Sequence, residues 1–133
     1  MKVTINENEY GLQWGLGAIE IYTEAMERAT GLSLGMEEAL DLAIMKNKDQ
    51  FKALINLALA GFQNYAEVNE LFFDLTYRKV QAWVSDAPQA EWDAVIDDFK
   101  KSKFLGRSVE EALGMAPVAE GAGKPKKKSN LAK

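Results

Sequence analysis

At Trp14-Gly15 the hydrophobic period of this chain changes from two to that of a helix, and it keeps the helical period as far as about Leu113. Upstream, "KVTINENEYGLQW" (Lys2 to Trp14) alternates. Val3 and Ile5 fall on one face with Lys2 and Thr4 opposite, and Tyr10, Leu12 and Trp14 share a face that excludes Gly11 and Gln13. Alternation of this kind marks two strands, and Asn6 to Glu9 between them is the turn. A two-stranded hairpin alone is marginal in water. The chain must therefore fold as a helical body that carries a hairpin, which the body holds in place.

The helices follow from apolar residues at three- and four-residue steps. Gly15 to Ala29 places Leu16, Ile19, Tyr22 and Met26 on one stripe, and Gly31 is set to cap it in the left-handed conformation. Ser33 to Met45 holds a shorter helix with Leu40 and Ile44 inward. Asp49 is the expected N-cap of a third helix, Gln50 to Ala66. Its face of Phe51, Leu54, Ile55, Ala58, Leu59 and Phe62, widened by Leu57, predicts packing on more than one side. A loop to Asp74 precedes a helix from Thr76 to Ser85. Pro88 opens another that runs to about Lys101, with Trp92, Val95, Ile96 and Phe99 inward. Ser108 and Glu111 have the spacing of a capping box for a last short helix ending near Gly114. The expected fold class is α+β: one mostly helical domain, residues 1–115, with an N-terminal β-hairpin over residues 2–14.

Composition narrows the chemistry. There is no cysteine and no histidine. Disulfides, thiolate catalysis, the usual neutral-pH base and the usual zinc ligands are all missing. The most apolar run, Ala53 to Phe62, is half the length of about 20 residues needed to cross a bilayer, and no basic-then-apolar leader opens the chain. A soluble, cytoplasmic protein is expected. Residues 1–115 hold 11 Lys and Arg against 19 Asp and Glu, a net of −8, whereas residues 116–133 have five Lys and one Glu. The acidic body argues against nucleic acid as main ligand. The tail, rich in Ala, Gly, Pro and Lys, is expected to be disordered.

Each chemical motif has a plainer alternative. "GLQWGLG" (Gly11 to Gly17) is not a phosphate-binding G-x-G-x-x-G and follows a hairpin strand, so its glycines are expected to ease a strand-to-helix corner. Glu91, Asp93, Asp97 and Asp98 resemble a carboxylate cluster, but they lie opposite an apolar helical face, and a solvated surface is the better reading. In "TYRKVQAW" (Thr76 to Trp83), basic and aromatic residues interleave as in single-strand binders. At helical spacing Val80 and Trp83 face inward, leaving Tyr77 and Arg78 as candidates for partner contact. No nucleophile stands beside a base. No catalytic residue, cofactor or metal ligand is assigned, and a non-enzymatic protein is expected.

Three stretches, "KVTINENEYGLQWGLGAIEIY" (Lys2 to Tyr22), "FDLTYRKVQAWVSD" (Phe73 to Asp86) and "DDFKKSKFLG" (Asp97 to Gly106), followed by a Lys-rich tail, resemble the small tail assembly chaperones of long-tailed phages and prophages, most closely those of Bacteroides-type bacteria. The resemblance covers Lys2 to about Leu113 and its motifs are structural. It implies a helper that coats the long, helical, apolar tape-measure protein until tail-tube subunits polymerise round it. It also implies a longer, frameshifted product, for which the codons of Lys126-Lys127-Lys128 are the place to look. One departure is that Asn6 is followed by Glu7 where such hairpins are expected to have glycine.

The unpaired edge of the hairpin can accept another strand, from a second copy or a partner. Lys2, Val3, Thr4, Ile5 and Gln13 are accordingly the candidate contact residues there, with Tyr77 and Arg78 on the helices and Lys124, Lys126, Lys127 and Lys128 in the tail. A reading from another class is a nucleic-acid-associated regulator that uses Arg78, Lys79 and the tail.

Overall fold

The computed structural model describes residues 1–104 and 107–112. The expected boundary near residue 115 and the tail lysines Lys124, Lys126, Lys127 and Lys128 lie outside them. The chain runs β1 (Lys2–Ile5), β2 (Asn8–Gly11), α1 (Leu16–Thr30), α2 (Met36–Ile44), α3 (Gln50–Val68), α4 (Tyr77–Asp86), α5 (Gln89–Lys101), β3 (Lys103–Phe104), β4 (Arg107–Ser108) and a single turn, α6 (Val109–Ala112). This is the mostly helical α+β fold with an N-terminal hairpin that the pattern predicts.

β1 and β2 are antiparallel, with Val3 opposite Tyr10 and Ile5 opposite Asn8. The connection is a two-residue turn, Asn6-Glu7, with φ of 51° and 70°, shorter than the expected Asn6 to Glu9, and β2 ends at Gly11, before Leu12 and Trp14. Positive φ at both central residues is the backbone that matches strand twist in tight hairpins, and it is normally supplied by Asn-Gly. Here Glu7 adopts it without glycine's freedom.

α3 is the axis of the molecule and buries two faces. Ala53, Leu57 and Ala60 pack with Ile19, Tyr22 and Met26 of α1 and Ala39, Leu40 and Ala43 of α2. Ile55, Ala58 and Phe62 pack with Val3, Ile5 and Leu12 of the hairpin, Val80 and Trp83 of α4, and Val95 of α5. Edge-to-face ring contacts run from Tyr10 to Phe62, from Phe62 to Trp83 and from Trp83 to Trp92, with centroids 5.8–6.2 Å apart. They tie the hairpin, α3, α4 and α5 into one series, each contact adding about 0.5–1.5 kcal/mol beyond area burial.

The hairpin is anchored at its exit. Gln13 donates its backbone N–H to the Gly61 carbonyl at 3.1 Å, and Asn64 Nδ2 donates to the Gln13 carbonyl at 3.0 Å. A Cβ on Gly61 would lie 2.6 Å from the Trp14 ring and 2.9 Å from Leu12, so α3 admits the hairpin only because this residue has no side chain. The corner into α1 is turned at Gly15, φ 115°, as the corner reading expects.

Several expectations need correction. Leu16 is 50% exposed and Phe51 is 76% exposed, although the periodicity places both inward. Small residues win the interior there: Ala18, Ala53 and Ala60 let the helices approach closely, and the larger side chains are left on the rim. α2 starts at Met36 rather than Ser33, with the Glu38 carboxylate accepting from Gly35 N–H at 2.7 Å. Asp49 makes no side-chain cap; Asn47 Oδ1 accepts from Asp49 N–H instead. α3 continues to Val68, and Pro88 sits at the N-cap of α5 rather than inside it. Gly31 caps α1 at φ 75°, and the Ser108–Glu111 box is formed, both as expected. The short β3–β4 pair has no counterpart in the sequence reading, because two-residue strands carry no periodicity.

Candidate protein-binding surface

The hairpin belongs to a two-stranded sheet, so among the described residues no third strand covers it. With a two-residue turn the Ile5–Asn8 and Val3–Tyr10 pairs bond to each other, and Leu12 N–H reaches the Met1 carbonyl at 2.9 Å in the same alternation. Lys2 and Thr4 therefore direct their backbone N–H and C=O groups outward. Val3 and Ile5 are buried against α3 and offer an incoming chain no side chain. Gln13 follows β2 on the other strand, and its backbone is already bonded to α3, so it does not belong to this edge. Lys2 pairs with Glu9 at 3.7 Å, both exposed. A short edge marked by charges resists indiscriminate pairing.

Beside this hairpin lies a feature that the periodicity does not disclose. α3 ends in a pair of backbone bonds, Leu71 N–H to Ala66 O at 2.8 Å and Glu70 N–H to Glu67 O at 3.3 Å. This is the Schellman arrangement, which wants a left-handed residue, usually glycine. Glu70 fills it at φ 56°. The chain then extends so that Phe73 and Leu75 turn inward while Phe72, 90% exposed, turns out, next to Leu71 and Val68, which are also exposed. The Schellman turn fixes the segment before this residue, and Asp74 fixes it after. Tyr10 donates its hydroxyl to Asp74 Oδ1 at 2.9 Å, and Lys79 Nζ donates to the Asp74 carbonyl at 3.2 Å. Partial burial and the Asp74 carboxylate hold the Tyr10 phenol above its ordinary pKa. Phe72 is thus held out by its neighbours.

Hairpin and apolar segment meet in one groove of about 170 Å³, bordered by Lys2, Glu9 and Tyr10 on one side and Leu71, Phe72 and Phe73 on the other, with Gly11, Phe62, Tyr65 and Ala66 also lining it. A second cleft, of about 470 Å³, lies between α2, α3 and α5, lined by Ile44, Leu54, Trp92 and Ile96 among others. Exposed Phe51 lines a smaller adjoining hollow with Leu54 and Trp92.

Tyr77 and Arg78 do not join the hairpin. They line a separate cleft with residues of α1 and α3, Tyr77 half-buried and Arg78 exposed. Of the α5 carboxylates, Asp93 and Asp97 are exposed as expected, whereas Glu91 and Asp98 are half-buried. Asp98 accepts from Trp14 Nε1 at 2.9 Å and Glu91 from Trp83 Nε1 at 2.8 Å. Asp93 accepts from Gln89, and Asp97 pairs with Lys101 at 3.1 Å. An indole N–H in a packed site needs an acceptor, and that is the signal the sequence offered for these two contacts. Among the described residues no group of three or more acidic side chains is placed to hold a metal ion, and no helix is long and apolar enough to cross a membrane.

Comparison with protein-family models, with curated proteins and with solved structures finds no match for this chain.

Proposed function

We propose that this chain is a non-enzymatic tail assembly chaperone of a long-tailed phage or prophage, working in the host cytoplasm by reversible binding to the tape-measure protein until tail-tube subunits replace it. The observation that carries this reading is the outward-held Phe72, with Leu71, in a groove that Lys2 of the open strand edge also lines, and with Val68 exposed at the end of α3. An apolar helical partner suits such a groove. Burying a large apolar side chain is worth about 1.5–3 kcal/mol, so these three residues supply several kcal/mol before the costs of association are met. That scale suits a complex that must later be taken apart. Glu70, held at left-handed φ without glycine, directly precedes Leu71 and Phe72 in the chain. Strain of this kind tends to collect where a surface has a task.

The test is co-expression with the very long coiled-coil reading frame expected in the adjacent gene. The wild-type chain is expected to co-purify with that product. Leu71→Ser combined with Phe72→Ser is expected to lose it while keeping its unfolding temperature, since both residues are exposed. A variant that stays folded and still holds the partner would remove this reading.

A further inference from the structure

We propose that the cleft between α1, α3 and α4 is a binding site for a compact oxyanion, a phosphate group or a pair of carboxylates. Three cations line it, one from each helix: Arg28, Lys52 and Arg78. Its volume is about 520 Å³, and no carboxylate is among its lining residues. Among the described residues the side chains of Arg28 and Lys52 make no ion pair or hydrogen bond, and the Arg78 guanidinium reaches only Gln81 Oε1, at 2.9 Å. In a body whose residues 1–115 carry a net −8, three gathered cations without counter-charge are out of keeping.

The helices sharpen the point. Lys52 stands in the first turn of α3 and Arg78 in the first turn of α4. Helix N-termini already carry partial positive charge, so cations are unfavourable there and an anion is favourable. Both effects raise the potential of the cleft at α3 and α4, whereas Arg28 stands in the last turn of α1, where the helix end favours a cation. Asn56, buried beneath it, is fixed by its amide N–H to the Lys52 carbonyl at 3.0 Å, which gives the cleft a set floor. Guanidinium groups match the two oxygens of phosphate or carboxylate. A long nucleic-acid strand fits less well, because the body of residues 1–115 carries a net −8. The assignment stands apart from the partner reading, since none of these residues borders the hairpin groove.

The experiment is amide NMR of the full chain at low ionic strength, titrated separately with inorganic pyrophosphate, a hexaglutamate peptide and oligothymidylate. Saturable shifts at Ala25, Ala29, Lys52 and Gln81 are expected with pyrophosphate if the natural ligand is a phosphate compound, or with the peptide if it is an acidic protein segment. Arg28→Gln and Arg78→Gln, both at exposed residues, are each expected to weaken that binding roughly tenfold, as loss of a charge-assisted hydrogen bond does. Lys46→Gln, exposed and outside the cleft, is expected to leave it unchanged. The assignment is overturned if neither pyrophosphate nor the peptide saturates, if Lys46→Gln weakens binding as much as Arg28→Gln, or if oligothymidylate binds more tightly than both.

Discussion

Glu7 and Glu70 occupy backbone positions that glycine or asparagine usually fills, with φ of 70° and 56°. An L-residue in the left-handed region loses about 1–2 kcal/mol, whereas glycine's extra freedom in the unfolded chain costs roughly 0.5–1 kcal/mol. The balance favours glycine at both. Glu7→Gly and Glu70→Gly are each expected to stabilise the fold by about 0.5–1 kcal/mol, read as a higher urea midpoint with unchanged slope. A second prediction concerns Tyr22, which is fully buried and donates its hydroxyl to the Ala39 carbonyl. Burial pushes its phenol well above the ordinary value of 10.0. The folded protein keeps this proton at a pH where the unfolded chain releases it. The contribution is therefore complete below about pH 10 and declines above it by at most about 1.4 kcal/mol per pH unit. Urea titrations on either side of pH 10 should show a steeper loss for wild type than for Tyr22→Phe. At this scale the sequence was partly legible. Ile19, Tyr22 and Met26 are inward as their spacing requires, but Phe51 and Leu16 are not, because periodicity weighs large residues and helix packing here selects alanine.

Among elements, the joint between the hairpin and α3 has most to explain. Val3, Ile5 and Leu12 give the hairpin an apolar underside, and the gap at Gly61 lets it seat. Gly61→Ala sets two effects against each other. Helix propensity favours alanine by about 0.8–1.0 kcal/mol, and overpacking costs about 1–3 kcal/mol. Trp14 cannot easily yield, since its indole is bonded to Asp98 and its ring packs edge-to-face on Phe99 with centroids 5.1 Å apart. Overpacking is expected to prevail, with a net loss of about 1–2 kcal/mol and a changed Trp14 emission in the folded state, checked by denaturant unfolding followed by fluorescence. The strands of the hairpin, five helices and the capping box at Ser108 were legible because each carries a local signal. The β3–β4 pair was not, because its strands are too short to carry a period.

For the molecule as a whole, the hairpin is fastened by its own helix α3 and leaves one edge open beside a segment that holds Phe72 outward. The edge could be foreseen from alternation. The apolar segment could not, because its exposure depends on a Schellman turn closed by a glutamate and on Asp74 being held by Tyr10 and Lys79, four hydrogen bonds without a sequence signature. Amide hydrogen exchange on the full chain, free and mixed with the proposed tape-measure partner, reads both surfaces at once. Slowed exchange in the complex is expected at Lys2 and Thr4 and from Glu70 to Phe73. Protection confined to other parts of the chain, with these amides exchanging as fast as in the free protein, would contradict it.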